Sequence, residues 1–128
     1  MNILDENVSA IQRQLLQDWG IQVRHIGYGI GRKGMKDDKI IPFLLTLSKP
    51  TLFTEDSDFF KRDLCHAKYC LAFLDVHRDE SAIFVRRLLH HSNFNTQMKR
   101  LGSVIRVSYP GLSVWHLHAQ KEGFYNWI

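Results

Sequence analysis

The sequence predicts an α/β fold of three layers, α/β/α, with a mostly parallel central sheet and a C-terminal β-hairpin. Three observations carry this expectation. The chain opens with strand, helix and strand in succession. Residues 69–74 form a near-continuous apolar run, as expected of a central strand buried on both faces. Residues 104–109 and 112–117 flank Pro110-Gly111, the pattern of a hairpin. The 128 residues suit one domain, 1–128, with a single sizeable core.

Taken in order, residues 2–4 are apolar and run straight into Asp5-Glu6-Asn7, so a first strand enters the core and ends in acids. Val8, Ile11, Leu15, Leu16 and Trp19 then recur at helical spacing. Asn7 or Ser9 caps that helix and Gly20 ends it. Residues 21–26 alternate apolar with polar and give a second strand, parallel to the first. A glycine-rich basic loop, 27–36, is expected to be mobile. Asp37-Asp38 open a helix reaching about residue 47, with carboxylates at its positive end. Pro42 removes one hydrogen bond there and predicts a distorted first turn or a later start.

A third strand, 51–53, leads into Thr54-Glu55-Asp56-Ser57-Asp58-Phe59, a polar turn with three acids in four residues. Residues 59–67 are ambiguous, at most a short helix. The strand at 69–74 again ends in an acid, Asp75. A helix over 79–91 turns Ala82, Ile83, Val85, Leu88 and Leu89 inward. A further helix over 94–101 is closed by Gly102. The aromatic tail (Phe124, Tyr125, Trp127, then Ile128) fits either an interface or the core.

No apolar run approaches the roughly 20 residues needed to span a bilayer, so no membrane role is expected. The first residues lack the basic-then-apolar plan of a signal peptide, and a cytoplasmic location is expected. Cys65 and Cys70 do not make a disulfide framework. The formal net charge of +4 permits a polyanionic partner. Between 77 and 106 stand Arg78, Arg86, Arg87, Lys99, Arg100 and Arg106, against Asp79 and Glu80. A basic surface beside an acidic strand edge suits an enzyme that holds metal ions and acts on nucleic acid. A solvated helix face is the plain alternative.

The acids are the main functional signal. In open α/β sheets, ligands bind at the carboxyl ends of strands. Asp5, Asp56, Asp58 and Asp75 each follow an expected strand, and Asp37 and Asp38 open a helix that faces the same edge. Hard divalent cations such as Mg²⁺ or Mn²⁺ take oxygen ligands and keep several waters, so two to four carboxylates make a site. Taken singly, each Asp reads equally well as a turn or cap residue.

The ordered set Ile3-Leu4-Asp5-Glu6-Asn7, Gly20 to Ile26, Asp37-Asp38-Lys39-Ile40-Ile41 and Thr54-Glu55-Asp56-Ser57-Asp58-Phe59 resembles the PIN-like ribonucleases, a group related to the VapC-type toxins of toxin–antitoxin pairs. The resemblance runs over residues 2 to 60 and more loosely over the hairpin. It implies a PIN-like fold, a Mg²⁺ or Mn²⁺ site formed by Asp5, Asp37, Asp56 and Asp58, and cleavage of RNA. Either Asp37 or Asp38 fits the helix-opening ligand; spacing to Ile40-Ile41 favours Asp37. Asn7 or Thr54 would orient a carboxylate or the water from behind. Arg32, Lys33, Lys36, Arg86 and Arg87 would guide the RNA. Glu55 is expected to point into solvent. The implied partners are RNA and a cognate antitoxin protein, and a homodimer is compatible.

Other chemistries have weaker support. Gly29-Ile30-Gly31-Arg32-Lys33-Gly34 matches G-x-G-x-x-G with Asp56 some distance on, but it follows the second strand rather than the first. His116 and His118 share a strand face by parity, and Cys65, His66, Cys70 and His77 lie near one another in sequence. None has the paired spacing of structural zinc. Cys70, within an apolar run, reads as a small core residue. A non-catalytic interaction module of the same fold, or a nucleotide-binding protein, is the alternative.

Overall fold

The computed structural model describes residues 1–127; Ile128 lies outside the described residues. It is an α/β protein built on one eight-stranded, mostly parallel sheet. In chain order the elements are β1 (Asn2–Leu4), α1 (Ala10–Asp18), β2 (Arg24–Ile26), β3 (Gly29–Ile30), α2 (Asp37–Leu44) and β4 (Thr51–Thr54). They continue with β5 (Cys70–Asp75), α3 (Ser81–His90), α4 (Gln97–Arg100), β6 (Ser103–Ser108), β7 (Gly111–His116) and β8 (Gly123–Asn126). The sheet order is β3-β2-β1-β4-β5-β6-β7-β8. Strands β2, β1, β4, β5 and β6 run parallel, and β7 and β8 fold back antiparallel. No helix is long and apolar enough to cross a membrane among the described residues.

Strand parity builds two apolar layers. Leu4, Phe53, Ala72, Ile105 and Val114 are successive cross-strand partners on one face, packed with Val8 before α1, Leu16 of α1 and Ala82, Phe84, Val85 and Leu88 of α3. Ile3, Leu52, Leu71 and Val104 form the other face, covered by Ile40 and Leu44 of α2 and by Phe59. Helices therefore lie on both sides of the sheet. The chain moves outward through α1 from β1 to β2, and in the opposite direction through α3 from β5 to β6, yet both helices share a face. Those two connections have opposite hands, an uncommon arrangement for parallel crossovers.

Several expectations are corrected. The second strand is only Arg24–Ile26, because β1 is itself three residues long and offers it just Ile3 and Leu4 as partners. The glycine-rich loop is folded: His25 faces Gly29 and Ile26 faces Ile30 across a link too short for a crossover. It is closed by Gly27 N–H to Ile30 O at 2.9 Å and Tyr28 N–H to His25 O at 3.0 Å. Helix α2 begins directly at Asp37 and keeps Pro42 inside it. The bond Pro42 cannot donate would go to the Asp38 carbonyl, and both residues are exposed, where its loss costs less than in the core. Residues 59–67 contain no α-helix, only 3₁₀ turns at Ser57–Phe59 and Arg62–Leu64.

In α3, Phe84 is buried while Ile83 is 40% exposed, which reverses one inward assignment. Helix α4 is a single turn because Thr96 caps it, its hydroxyl accepting from Lys99 N–H at 3.2 Å. The hairpin is present, with Val107 opposite Leu112. The tail was not recognised as a strand from sequence; it pairs with β7, and Trp127 Nε1–H donates to Ser108 O at 2.8 Å. His118 lies beyond the end of β7 at φ 65°, so it does not share a strand face with His116.

Two substitutions test this packing by urea denaturation. Phe53→Ala, at a fully buried central position, is expected to cost about 3–5 kcal/mol. Gly111→Ala places a Cβ against the Tyr125 carbonyl oxygen at a φ of 154°, and is expected to cost roughly 2 kcal/mol or more by distorting the β7–β8 pairing.

Candidate metal centre

The site follows from the strand order. The chain leaves β1 toward β2 and leaves β4 toward β5, in opposite directions, so the order reverses between β1 and β4. A crevice outside the carboxyl ends of strands at such a reversal is where α/β sheets bind ligands. Here Asp5 follows β1, and Glu55 and Asp56 follow β4. A cleft of about 670 Å³ opens at that edge, lined by Asp5, Asn7, Glu55, Asp56, Asp75 and Arg78 among others.

Local structure aims the acids. Thr54, fully buried, donates its hydroxyl to Asp5 Oδ2 at 2.7 Å and accepts from Asp56 N–H at 3.0 Å. Asp56 Oδ1 accepts from Asp58 N–H at 2.9 Å and so caps the 3₁₀ turn that presents Asp58. Asp37 is the first residue of α2, which is anchored by Ile40 and Leu44 in the second apolar layer. As a result, Asp37, Asp56 and Asp58 each offer an oxygen within 4.8 Å of the others. Asp38, one residue on, is not in this group, so the structure places Asp37 as the helix-opening member.

Asp5 is brought to the same edge but not into the cluster. It is only 6% exposed, and its two oxygens accept from Glu6 N–H at 2.8 Å and from the Thr54 hydroxyl. Its backbone carbonyl is held by His25, which is 2% exposed, through Nε2 at 3.0 Å. Arg13 Nη1 lies 3.0 Å from His25 Nδ1. An arginine can only donate, so Nδ1 is the acceptor and Nε2 carries the hydrogen given to Asp5. Burial, then the Arg13 charge, lowers the His25 pKa and favours this neutral form.

The acids of this edge divide into two sets. Glu55 does not point into solvent: it accepts from the Ser81 hydroxyl at 2.8 Å and lies 3.4 Å from Arg78 Nε. Asp75 Oδ2 accepts from Arg106 at 2.8 Å (Nε) and 2.7 Å (Nη2). Asp37, Asp56 and Asp58 have no Lys or Arg within 4.0 Å among the described residues. Desolvation, then the Asp56 charge and a hydrogen bond shared with it, hold the Asp37 carboxyl above its usual range, with Asp5 and Asp58 adding to the effect. Crowded, uncompensated oxygens of this kind suit a hard divalent cation.

The remaining expected residues are less uniform. Asn7 lines the cleft beside Asp5, and Thr54 joins the acids from behind. Arg32, Lys33 and Lys36 are exposed on the loop that Gly34 N–H fastens to Glu6 Oε1 at 2.8 Å. Arg86 and Arg87 are not brought to the acidic edge. They sit about 7–9 Å along α3 from its start, with guanidinium groups over the Trp19 ring at 3.9 Å and the Trp127 ring at 4.3 Å. Sequence reasoning overlooked His25, although it shares strand parity with the core residues Ile21 and Val23. No family model, curated protein or solved structure matches the chain.

Thr54→Val removes both bonds of the hydroxyl and leaves Asp5 Oδ2 buried without its donor. The expected cost is about 1–3 kcal/mol by chemical denaturation. His25 supplies a pH test. Its folded pKa is depressed, so stability is full above the unfolded value of about 6.5 and declines as pH falls from there through the folded value. His25→Gln, which keeps a donor for Asp5 O, is expected to flatten that decline in unfolding curves taken between neutral and mildly acidic pH.

Proposed function

We propose that this protein is a divalent-metal-dependent endoribonuclease of PIN-like, three-layer fold, acting as the toxin of a toxin–antitoxin pair. The observation that carries the reading is the convergence of Asp37, Asp56 and Asp58 oxygens within 4.8 Å, with no Lys or Arg paired to them among the described residues, at the reversal of strand order. The donor set is all carboxylate oxygen, which fits Mg²⁺ or Mn²⁺ rather than a softer metal. Bound there, such an ion would neutralise charge on a phosphodiester and acidify water for in-line attack.

The chain's own residues have separate parts in this reading. Asp37, Asp56 and Asp58 hold the cation. Asp5, fixed by Thr54 and by the His25 donation to its backbone, adds negative charge behind them. Asn7 stands at the mouth of the cleft, where it can orient a water or a phosphate oxygen. Arg32, Lys33 and Lys36 supply positive charge from the loop at the same edge, and Arg78 lines the cleft. A cognate antitoxin would cover this edge.

Incubation of purified protein with a labelled single-stranded RNA, with Mg²⁺ or Mn²⁺ and with chelator, tests the reading. Cleavage is expected only with metal. Asp37→Asn and Asp56→Asn are each expected to reduce it by roughly 100-fold or more while the fold persists, and Asp38→Asn to leave it unchanged. Cleavage by Asp56→Asn at the wild-type rate would sink the assignment. Asp37 also predicts a pH dependence: its raised carboxyl must lose a proton to bind the cation, so Mn²⁺ affinity by calorimetry is expected to strengthen as pH rises through that pKa.

A further inference from the structure

We infer that the pocket on the β2 side of Asp5, formed by Arg13, Arg24 and Tyr28, binds one nucleotide unit of a single strand, its phosphate on the arginines and its base on the tyrosine ring. The inference deepens the nuclease reading by giving its substrate a subsite beside the acidic edge. The pocket holds about 350 Å³ and is lined by Arg13, Gln17, Val23, Arg24, His25 and Tyr28. That volume is within the range of small-ligand sites.

Its chemistry is one-sided. Arg13, Arg24 and His25 bring only nitrogen donors or a neutral ring, and no carboxylate lines the pocket. Neither arginine has an acid within 4.0 Å among the described residues. Arg13 is half-buried, and its Nη1 donates to an uncharged imidazole nitrogen. Arg24 reaches the Gly29 carbonyl at 3.4 Å. A guanidinium partly removed from water without a counter-ion gains from an anion, and a phosphate offers the matching fork of oxygens.

Tyr28 supplies the other half. The residue is 50% exposed at the tip of the β2–β3 link. Arg13 Cζ lies 5.1 Å and Lys33 Nζ 5.0 Å from its ring centroid, and the His25 ring is 4.6 Å away. An exposed aromatic ring in a positively charged groove is the arrangement on which single-stranded bases stack, and a base stacking here would displace the exposed Lys33 ammonium, which lies over the ring. The pocket is tied to the acidic edge through His25, whose imidazole lines the pocket while its Nε2 holds Asp5 O. Glu6, on the loop side, accepts from Gly34 N–H.

Fluorescence anisotropy of a labelled single-stranded RNA hexamer, titrated with full-length protein in chelator at low salt, tests this without cleavage. Wild type is expected to bind, and more weakly as salt rises. Arg24→Gln is expected to weaken binding about tenfold. Tyr28→Ala is expected to weaken it about fivefold or more, and Tyr28→Phe to retain it. Wild-type affinity in both Arg24→Gln and Tyr28→Ala, or no binding by the wild type, would overturn the inference. Competition by AMP as effective as the unlabelled hexamer would also overturn it, assigning the pocket to free nucleotides. Absence of cleavage by the wild-type protein in Mg²⁺ or Mn²⁺ with hexamer binding intact speaks against the nuclease reading alone, and cleavage with unaltered binding in the pocket variants against this subsite alone.

Discussion

The Thr54 hydroxyl is the joint on which the acidic edge depends. It donates to Asp5 across the β1–β4 seam and accepts from the backbone of Asp56 on its own side. Without it, the two strand ends would meet as a buried carboxylate lacking its donor and a turn lacking its anchor. With it, the direction of the Asp56 turn is fixed by the pairing of β1 with β4, and Asp58 follows through the Asx bond. A single side chain thus converts strand register into the placement of charge.

The layer beneath has the same logic in a different chemistry. His25 serves the Asp5 backbone through its Nε2 hydrogen, and Arg13, which donates to the other ring nitrogen, favours the neutral ring. At the outer boundary of the site, Arg78 and Arg106 neutralise Glu55 and Asp75. Among the described residues, the acids of this edge left without a cationic partner are then Asp37, Asp56 and Asp58, with the buried Asp5 behind them. The arrangement separates acids paired with arginines from a cluster that could hold a metal ion.

Much of this was legible in the sequence, for identifiable reasons. Strand ends followed by acids are local features, so β1, β4 and β5 and the positions of Asp5, Asp56 and Asp75 could be read directly. The hairpin was legible from Pro110-Gly111 between apolar runs. What could not be read were long-range pairings of charge: Glu55 with Arg78 and Ser81, and Asp75 with Arg106, depend on which strands become neighbours. β8 was missed because Phe124 and Tyr125 alternate across an edge strand too short to declare itself. The inward turn of Phe84 in place of Ile83 was hidden because both are large and apolar. Tertiary packing, rather than periodicity, chose between them.

The Thr54–Asp5 bond joins residues 49 apart in the chain. β1, first in sequence, becomes an interior strand only after β4 docks beside it, and that contact must first meet the entropy of closing a long loop. Asp5, Asp37, Asp56 and Asp58 all lie in the first half of the chain, but Asp37 and Asp56 meet only when α2 and β4 have packed on the same sheet. A partly folded chain presents scattered carboxylates with ordinary affinity for water, and the concentrated charge arises together with the cooperative native state.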